Sequence, residues 1–255
     1  LKSKGLALIL VGLILLGAFS GGKAEEKAEE FAYVHTEGVF DRLNVRMTPS
    51  DEFAANYKLY NGAKVRVEQR ENGWASILCG EAEDLAPIRG YVREEYLESA
   101  PGEGTPLPRI RVGKDAFYMP NIGWYYTWPL HEEDVIPVGS ELTVLAVKGN
   151  YVATDSTANF DAFYVETDDG QRYWLRNMAD FAIEVLNPLG YTAKTTDSVR
   201  MRQAADTGSK ALYTLNANAQ VEILLRGEGW TMVKYRGQTG YIMSRYLAFP
   251  ADVNE

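Results

Sequence analysis

The chain has 255 residues, 46% of them hydrophobic, enough for one to three domains with ordinary apolar cores. A formal net charge of −9 argues against nucleic acid, and against anionic lipids or wall polymers held by charge, because phosphate binding needs clustered Lys and Arg. Cys79 is the one cysteine, so no internal disulfide forms and the fold rests on its cores.

Residues 1–24 read as an export signal. Lys2 and Lys4 precede an apolar run from Gly5 to Phe19, and Gly22-Lys23-Ala24 is a small-x-small cleavage site before Glu25. The run is shorter than the ~20 residues of a membrane span, so no span is expected after cleavage; a retained anchor is the alternative. The expected location is the cell exterior, the wall or the periplasm. Residues 25–32 form a charged spacer, expected to fray.

From Tyr33 the pattern is one of short strands. Leu43-Asn44-Val45-Arg46 alternates, Pro49 to Asp51 marks a loop, and Asn61-Gly62 is a tight turn. Lys64 to Glu68 alternates again, Asn72-Gly73 turns, and Trp74 to Leu78 is the next strand. Gly90-Tyr91-Val92 follows, then three mixed residues that make about one 3₁₀ turn, then Tyr96-Leu97. This order returns near the C-terminus, as Val199-Arg200-Met201-Arg202, Val221-Glu222-Ile223, Gly229-Trp230, Gly240-Tyr241-Ile242 and Tyr246-Leu247. From Leu43/Val199 to Trp74/Trp230 the offset holds at 156 residues, and it falls to 150 at Gly90/Gly240, so the first copy carries the longer final loop.

Both copies resemble the bacterial SH3 domain family. The pattern rests on Leu43, Asn44, Val45, Arg46, Gly62, Val65, Gly73, Trp74, Gly90, Tyr91, Val92, Tyr96 and Leu97, and in the second copy on Val199, Met201, Arg202, Val221, Gly229, Trp230, Gly240, Tyr241, Ile242, Tyr246 and Leu247. The second copy departs at Arg200, where the family favours Asn, and at Asn218, where it favours Gly; Asn tolerates positive φ. The resemblance implies an all-β chain of tandem small SH3-like barrels after an N-terminal signal segment. The expected boundaries are 33–98 and 193–249 for the two modules. Segments 99–108 and 187–192 are linkers, the first Pro/Gly-rich and semi-flexible, and 250–255 is a tail. The middle, 109–186, is expected to be a divergent third module. It has Val138-Gly139 before an alternating strand, a hairpin turn at Asp169-Gly170, Tyr173-Trp174-Leu175 in place of Gly-Tyr-Val, and insertions at Asn121 to Asp134 and about Lys148 to Asp161.

A barrel of about 65 residues offers a groove rather than an enclosed active site. The candidate ligand-binding residues are Arg46, Tyr57, Trp74, Tyr91 and Tyr96 in the first module and Arg202, Tyr213, Trp230, Tyr241 and Tyr246 in the last. To these the middle adds Trp124, Tyr125 and Trp128, a loop cluster able to stack on sugars or anchor a peptide. For each aromatic, capping a barrel end is the competing role. No catalytic residue, metal site or cofactor is expected. Cys79 lies inside a module, His35 and His131 flank it without context, and no Gly-rich phosphate loop follows a strand. By resemblance, the chain is a non-catalytic envelope protein binding cell-wall peptidoglycan or envelope peptides, with weak sites strung on linkers acting together. The alternatives are an adaptor for an envelope enzyme or complex and, last, an enzyme with its site in the middle.

Overall fold

The computed structural model describes residues 29–38, 41–82, 84, 86–102, 106–113, 116–119, 135–152, 159–176, 183–188 and 190–249. The segment read as an export signal, the Trp124–Trp128 cluster with its insertion, His131 and the tail lie outside the described residues. Apart from short 3₁₀ turns, every regular element described is a strand, so the chain is all-β as expected.

The strands fall into three blocks of seven. The first contains β1 (Glu30–Val34), β2 (Arg42–Val45), β3 (Tyr57–Tyr60), β4 (Lys64–Glu71), β5 (Trp74–Cys79), β6 (Ile88–Arg93) and β7 (Leu97–Glu98). The second contains β8 (Arg109–Val112), β9 (Ala116–Met119), β10 (Val135–Ile136), β11 (Glu141–Val152), β12 (Asn159–Thr167), β13 (Arg172–Arg176) and β14 (Ile183–Val185). The third contains β15 (Tyr191–Thr195), β16 (Val199–Arg202), β17 (Ala211–Leu215), β18 (Gln220–Leu225), β19 (Trp230–Tyr235), β20 (Gln238–Met243) and β21 (Leu247–Ala248). The first strand of each block sits between its last and its fourth, and the fourth leads antiparallel to the fifth and sixth. The sixth meets the short second and third strands, in the first block through the Arg46–Tyr91 bridge.

Local chemistry explains the recurrence. The turn before each fourth strand needs a positive φ, met by Gly62 at 90°, Gly139 at 89° and Asn218 at 63°. Each turn N–H then bonds back to the first strand of its block: Gly62 to the Val34 carbonyl and Gly139 to that of Val112, both at 2.8 Å, and Asn218 to that of Thr195 at 2.7 Å. The expected 3₁₀ turns form at Glu94–Tyr96 and Ser244–Tyr246. Gly90 and Gly240 are needed because β6 and β20 cross β2 and β16 closely. A Cβ at either position would stand 2.6 Å from the carbonyl oxygen of Arg46 or Arg202. Gly240→Ala is therefore expected to force β16 off β20 and cost about 1–3 kcal/mol in a urea denaturation series.

Three expectations change. The charged spacer is shorter than 25–32, because Ala32 faces the core and β1 already begins at Glu30. The described ends of the second insertion are strand, since β11 runs to Val152 and β12 begins at Asn159. The blocks are also not strung on loose linkers. The N-terminal end of β11 pairs with β8, and beyond it Ala146 and Val147 pair with Leu59 and Lys58 of β3, so one sheet runs from the first block into the second.

Apolar clusters cross both boundaries. Ala146, Tyr164 and Trp174 are buried with the core of the first block, and Leu225, Trp230, Met232 and Tyr241 are buried with that of the second. Polar contacts tie the third block to both others. The buried Asp161 carboxylate accepts the N–H groups of Gly229 (2.8 Å) and Trp230 (3.0 Å). Glu228 pairs with Arg42 at 2.6 Å and Lys58 at 3.5 Å, and the Tyr60 hydroxyl donates to the Arg226 carbonyl.

Candidate functional site

The site begins with a bulge. In each block one extra residue interrupts the pairing of the fourth and fifth strands: between Val67 and Gln69, between Val144 and Ala146, and between Ile223 and Leu225. A bulge bends the strand and increases its twist. It also fixes which residues share a face. Gln69, Ser76 and Tyr91 lie side by side across three strands in the first block, as do Ala146, Tyr164 and Trp174 in the second and Leu225, Met232 and Tyr241 in the third.

These three faces meet different fates. The face of the second block is fully buried against the first. Trp174 stacks at 5.6 Å from Tyr57 and 5.0 Å from Tyr164, and its indole Nε1–H donates to the Ala86 carbonyl at 2.9 Å. The face of the third block, with Ala205 and Trp230, is buried against the second. Only the face of the first block is left open among the described residues. There Pro49, Gln69, Glu71, Asn72, Trp74, Ser76 and Tyr91 line a groove of about 330 Å³. Residue type follows exposure: Gln69 and Ser76 are polar in the open groove, whereas Leu225 and Met232 are apolar in the covered one.

The rim is built by the loop between β2 and β3. Arg46, 4% exposed, donates to the Phe53 carbonyl and lies 3.5 Å from Asp51. Arg202 does the same work in the third block, donating to the Ser209 carbonyl at 2.6 Å. Both arginines thus tie down a loop, and neither reaches into the groove. Arg93 lies 4.3 Å above the Trp74 ring and pairs with Asp51, which fixes one wall. On the loop, Met47 is 67% exposed and Phe53 60%, two of the four large apolar side chains so exposed among the described residues. The third block has Gln203 and Ser209 at these positions.

Of the sequence-derived candidates, Trp74 and Tyr91 come together in the open groove. Tyr57 is turned to the second block, and Trp230 and Tyr241 are covered by it. Tyr213 makes an edge contact with Tyr235 at 5.4 Å, and Tyr96 and Tyr246 pack half-buried on their own cores. Trp124, Tyr125 and Trp128 lie outside the described residues. Sequence reasoning missed Pro49, Gln69, Glu71, Asn72 and Ser76. The signal was present in the 156-residue offset, which sets Gln69 against Leu225 and Ser76 against Met232. Cys79 is wholly buried and its thiol is pushed up to about 12 by desolvation, so it behaves as a small core residue. Among the described residues no group of His, Cys, Asp and Glu is arranged to hold a metal ion.

Residues 197–248, within the third block, match the family model of the bacterial SH3 domain. No curated protein matches the chain. Among solved structures, NlpC2 from Trichomonas vaginalis aligns at 13% identity and a TM-score of 0.26, covering 87% of this chain and 48% of that one. NlpC1 from the same organism aligns at 12% identity and a TM-score of 0.26, covering 89% and 48%. The chain thus spans about half the length of these structures, and scores this low carry no argument about fold or function.

Proposed function

We propose that this is an exported, non-catalytic envelope protein, built of three SH3-like modules, that binds cell-wall peptidoglycan or an envelope peptide through the groove of its first block. The observation that carries the reading is that this groove is open and polar-lined while its two counterparts are filled by neighbouring blocks. The shared strand order and bulge support the three-module reading, and the family match at 197–248 supports the assignment to the envelope. Binding through one groove replaces the idea of several weak sites on linkers.

Co-sedimentation of residues 25–255 with purified peptidoglycan tests the proposal. Phe53→Ala is expected to release several-fold more protein into the supernatant without moving the melting temperature, because Phe53 is exposed on the rim. Wall binding unchanged by Phe53→Ala would place the site elsewhere. The exposed Met47 and Phe53 also suit a protein partner, which is the adaptor reading. Absence of the intact protein from the wall pellet, with a soluble protein co-purifying, would favour it.

A further inference from the structure

Given that the open groove is the ligand site, we propose that it takes a peptide bearing a primary amine, with Glu71 as the counter-charge and Met47, Pro49, Phe53 and Tyr91 as the seat for an adjoining apolar side chain. Glu71 is the one charged residue lining the groove. Its carboxylate is held by amides, the Gln69 Nε2 at 3.2 Å and the Asn72 Nδ2 at 3.5 Å, and no ion pair joins it to a cation among the described residues. The arginines nearby are already committed: Arg93 to Asp51, Arg70 to Glu30 and Glu94, and Arg89 to Glu68. An anionic ligand therefore finds no unengaged cation here, and a cationic one finds a positioned carboxylate.

The same geometry favours peptide over glycan. Stacking on a sugar needs an open aromatic face beside the polar groups, and Trp74 offers none, being 7% exposed with Arg93 over its ring, which leaves Tyr91 and the rim Phe53 as the aromatic surface. What the groove does present is a carboxylate, carboxamides and the Ser76 hydroxyl beside an apolar rim. That set fits a peptide backbone with one amine and one apolar side chain. A permanent protein interface is a poorer fit, because the two filled grooves of this chain carry Ala146 and Tyr164, or Leu225 and Met232, where this one carries Gln69 and Ser76.

The test is calorimetric titration of residues 25–255 with the tetrapeptide Leu-Ala-Lys-Ala acetylated at its N-terminus, so that lysine holds its one amine, with the same peptide also Nε-acetylated on lysine, and with a tetramer of N-acetylglucosamine. The free amine is expected to bind about fivefold tighter than the acetylated form, the scale of one partly exposed charge pair. Glu71→Gln, an exposed and conservative change, should erase that difference and keep the melting temperature. Equal binding of the two peptides, discrimination that survives in Glu71→Gln, binding of the sugar alone, or no peptide binding would each overturn the proposal. So would a dimer in sedimentation velocity that Phe53→Ala dissolves, since a second copy would then be the occupant. Peptidoglycan co-sedimentation keeps the two readings apart. Wall binding indifferent to Glu71→Gln rejects the amine and leaves the groove standing, whereas no binding to wall or peptide rejects the groove itself.

Discussion

Asp161→Ala is expected to destabilise the protein by about 2–4 kcal/mol in urea, because it leaves the N–H groups of Gly229 and Trp230 buried without an acceptor. Asp161 is 1% exposed, and the loop it holds carries Glu228, which pairs with Arg42 and Lys58 of the first block. One carboxylate thus anchors the third block against both others. Asp161→Asn keeps the size and one acceptor oxygen, but its amide must face one of the two donors, so it should fall between wild type and Ala at low pH. Loss of less than about 0.5 kcal/mol in Asp161→Ala would mean that the loop finds other partners and that this junction does not hold the block.

The same residue gives a pH dependence whose sign is opposite to ordinary acid denaturation. Desolvation pushes the Asp161 carboxyl up to about 6 from 3.8, against the lowering effect of the two backbone N–H bonds. A carboxyl with a raised folded-state value binds its proton more tightly in the folded chain. Its contribution is therefore fully present below the unfolded value and lost as pH rises to about 6 and beyond, by about 3 kcal/mol in all. Asn does not titrate. The stability difference between wild type and Asp161→Asn should therefore shift by that order between pH 4 and pH 7, with the variant gaining as pH rises. A difference flat across this range would show that Asp161 stays at its ordinary value and that the junction is wetter than its burial implies.

How much of this was legible in the sequence depends on what kind of contact wrote it. Turns and close approaches are local, so Gly62, Asn218, Gly90, Gly240 and the 3₁₀ turns could be read from residue type and spacing. Packing between blocks is not local. Trp230 and Tyr241 carry the same motif as Trp74 and Tyr91, yet one pair is covered and the other lines a groove. Motif identity could not separate them, because the motif specifies the barrel and not what lies on it. The separating signal sits between motif positions, in Gln69 and Ser76 against Leu225 and Met232. The Pro/Gly-rich stretch at 99–108 is silent on this packing for a related reason. Composition describes the stiffness of a connector, whereas the pairing of β3 with β11 is set by residues far from it.

Trp174→Ala is expected to be the most damaging single change, at about 3–5 kcal/mol, because it empties a fully buried indole site shared by two blocks. Trp174 stands where Tyr91 stands in the first block, so its loss removes the side chain that plugs the second groove against Tyr57 and the Ala86 loop. Trp174→Phe separates the two contributions. It keeps most of the apolar contact with Tyr57 and Tyr164 and leaves the Ala86 carbonyl without its donor, so it should cost roughly 1–2 kcal/mol for the bond plus the volume lost. Urea denaturation followed by far-UV and near-UV circular dichroism reads both variants. Coincident transitions in both spectral regions would show the blocks unfolding together. If Trp174→Ala left the midpoint in place, the first and second blocks would be held by something other than this contact. The filling of each later groove by the block before it would then be incidental to stability, and the open first groove would lose its standing as the one position the array leaves for a ligand.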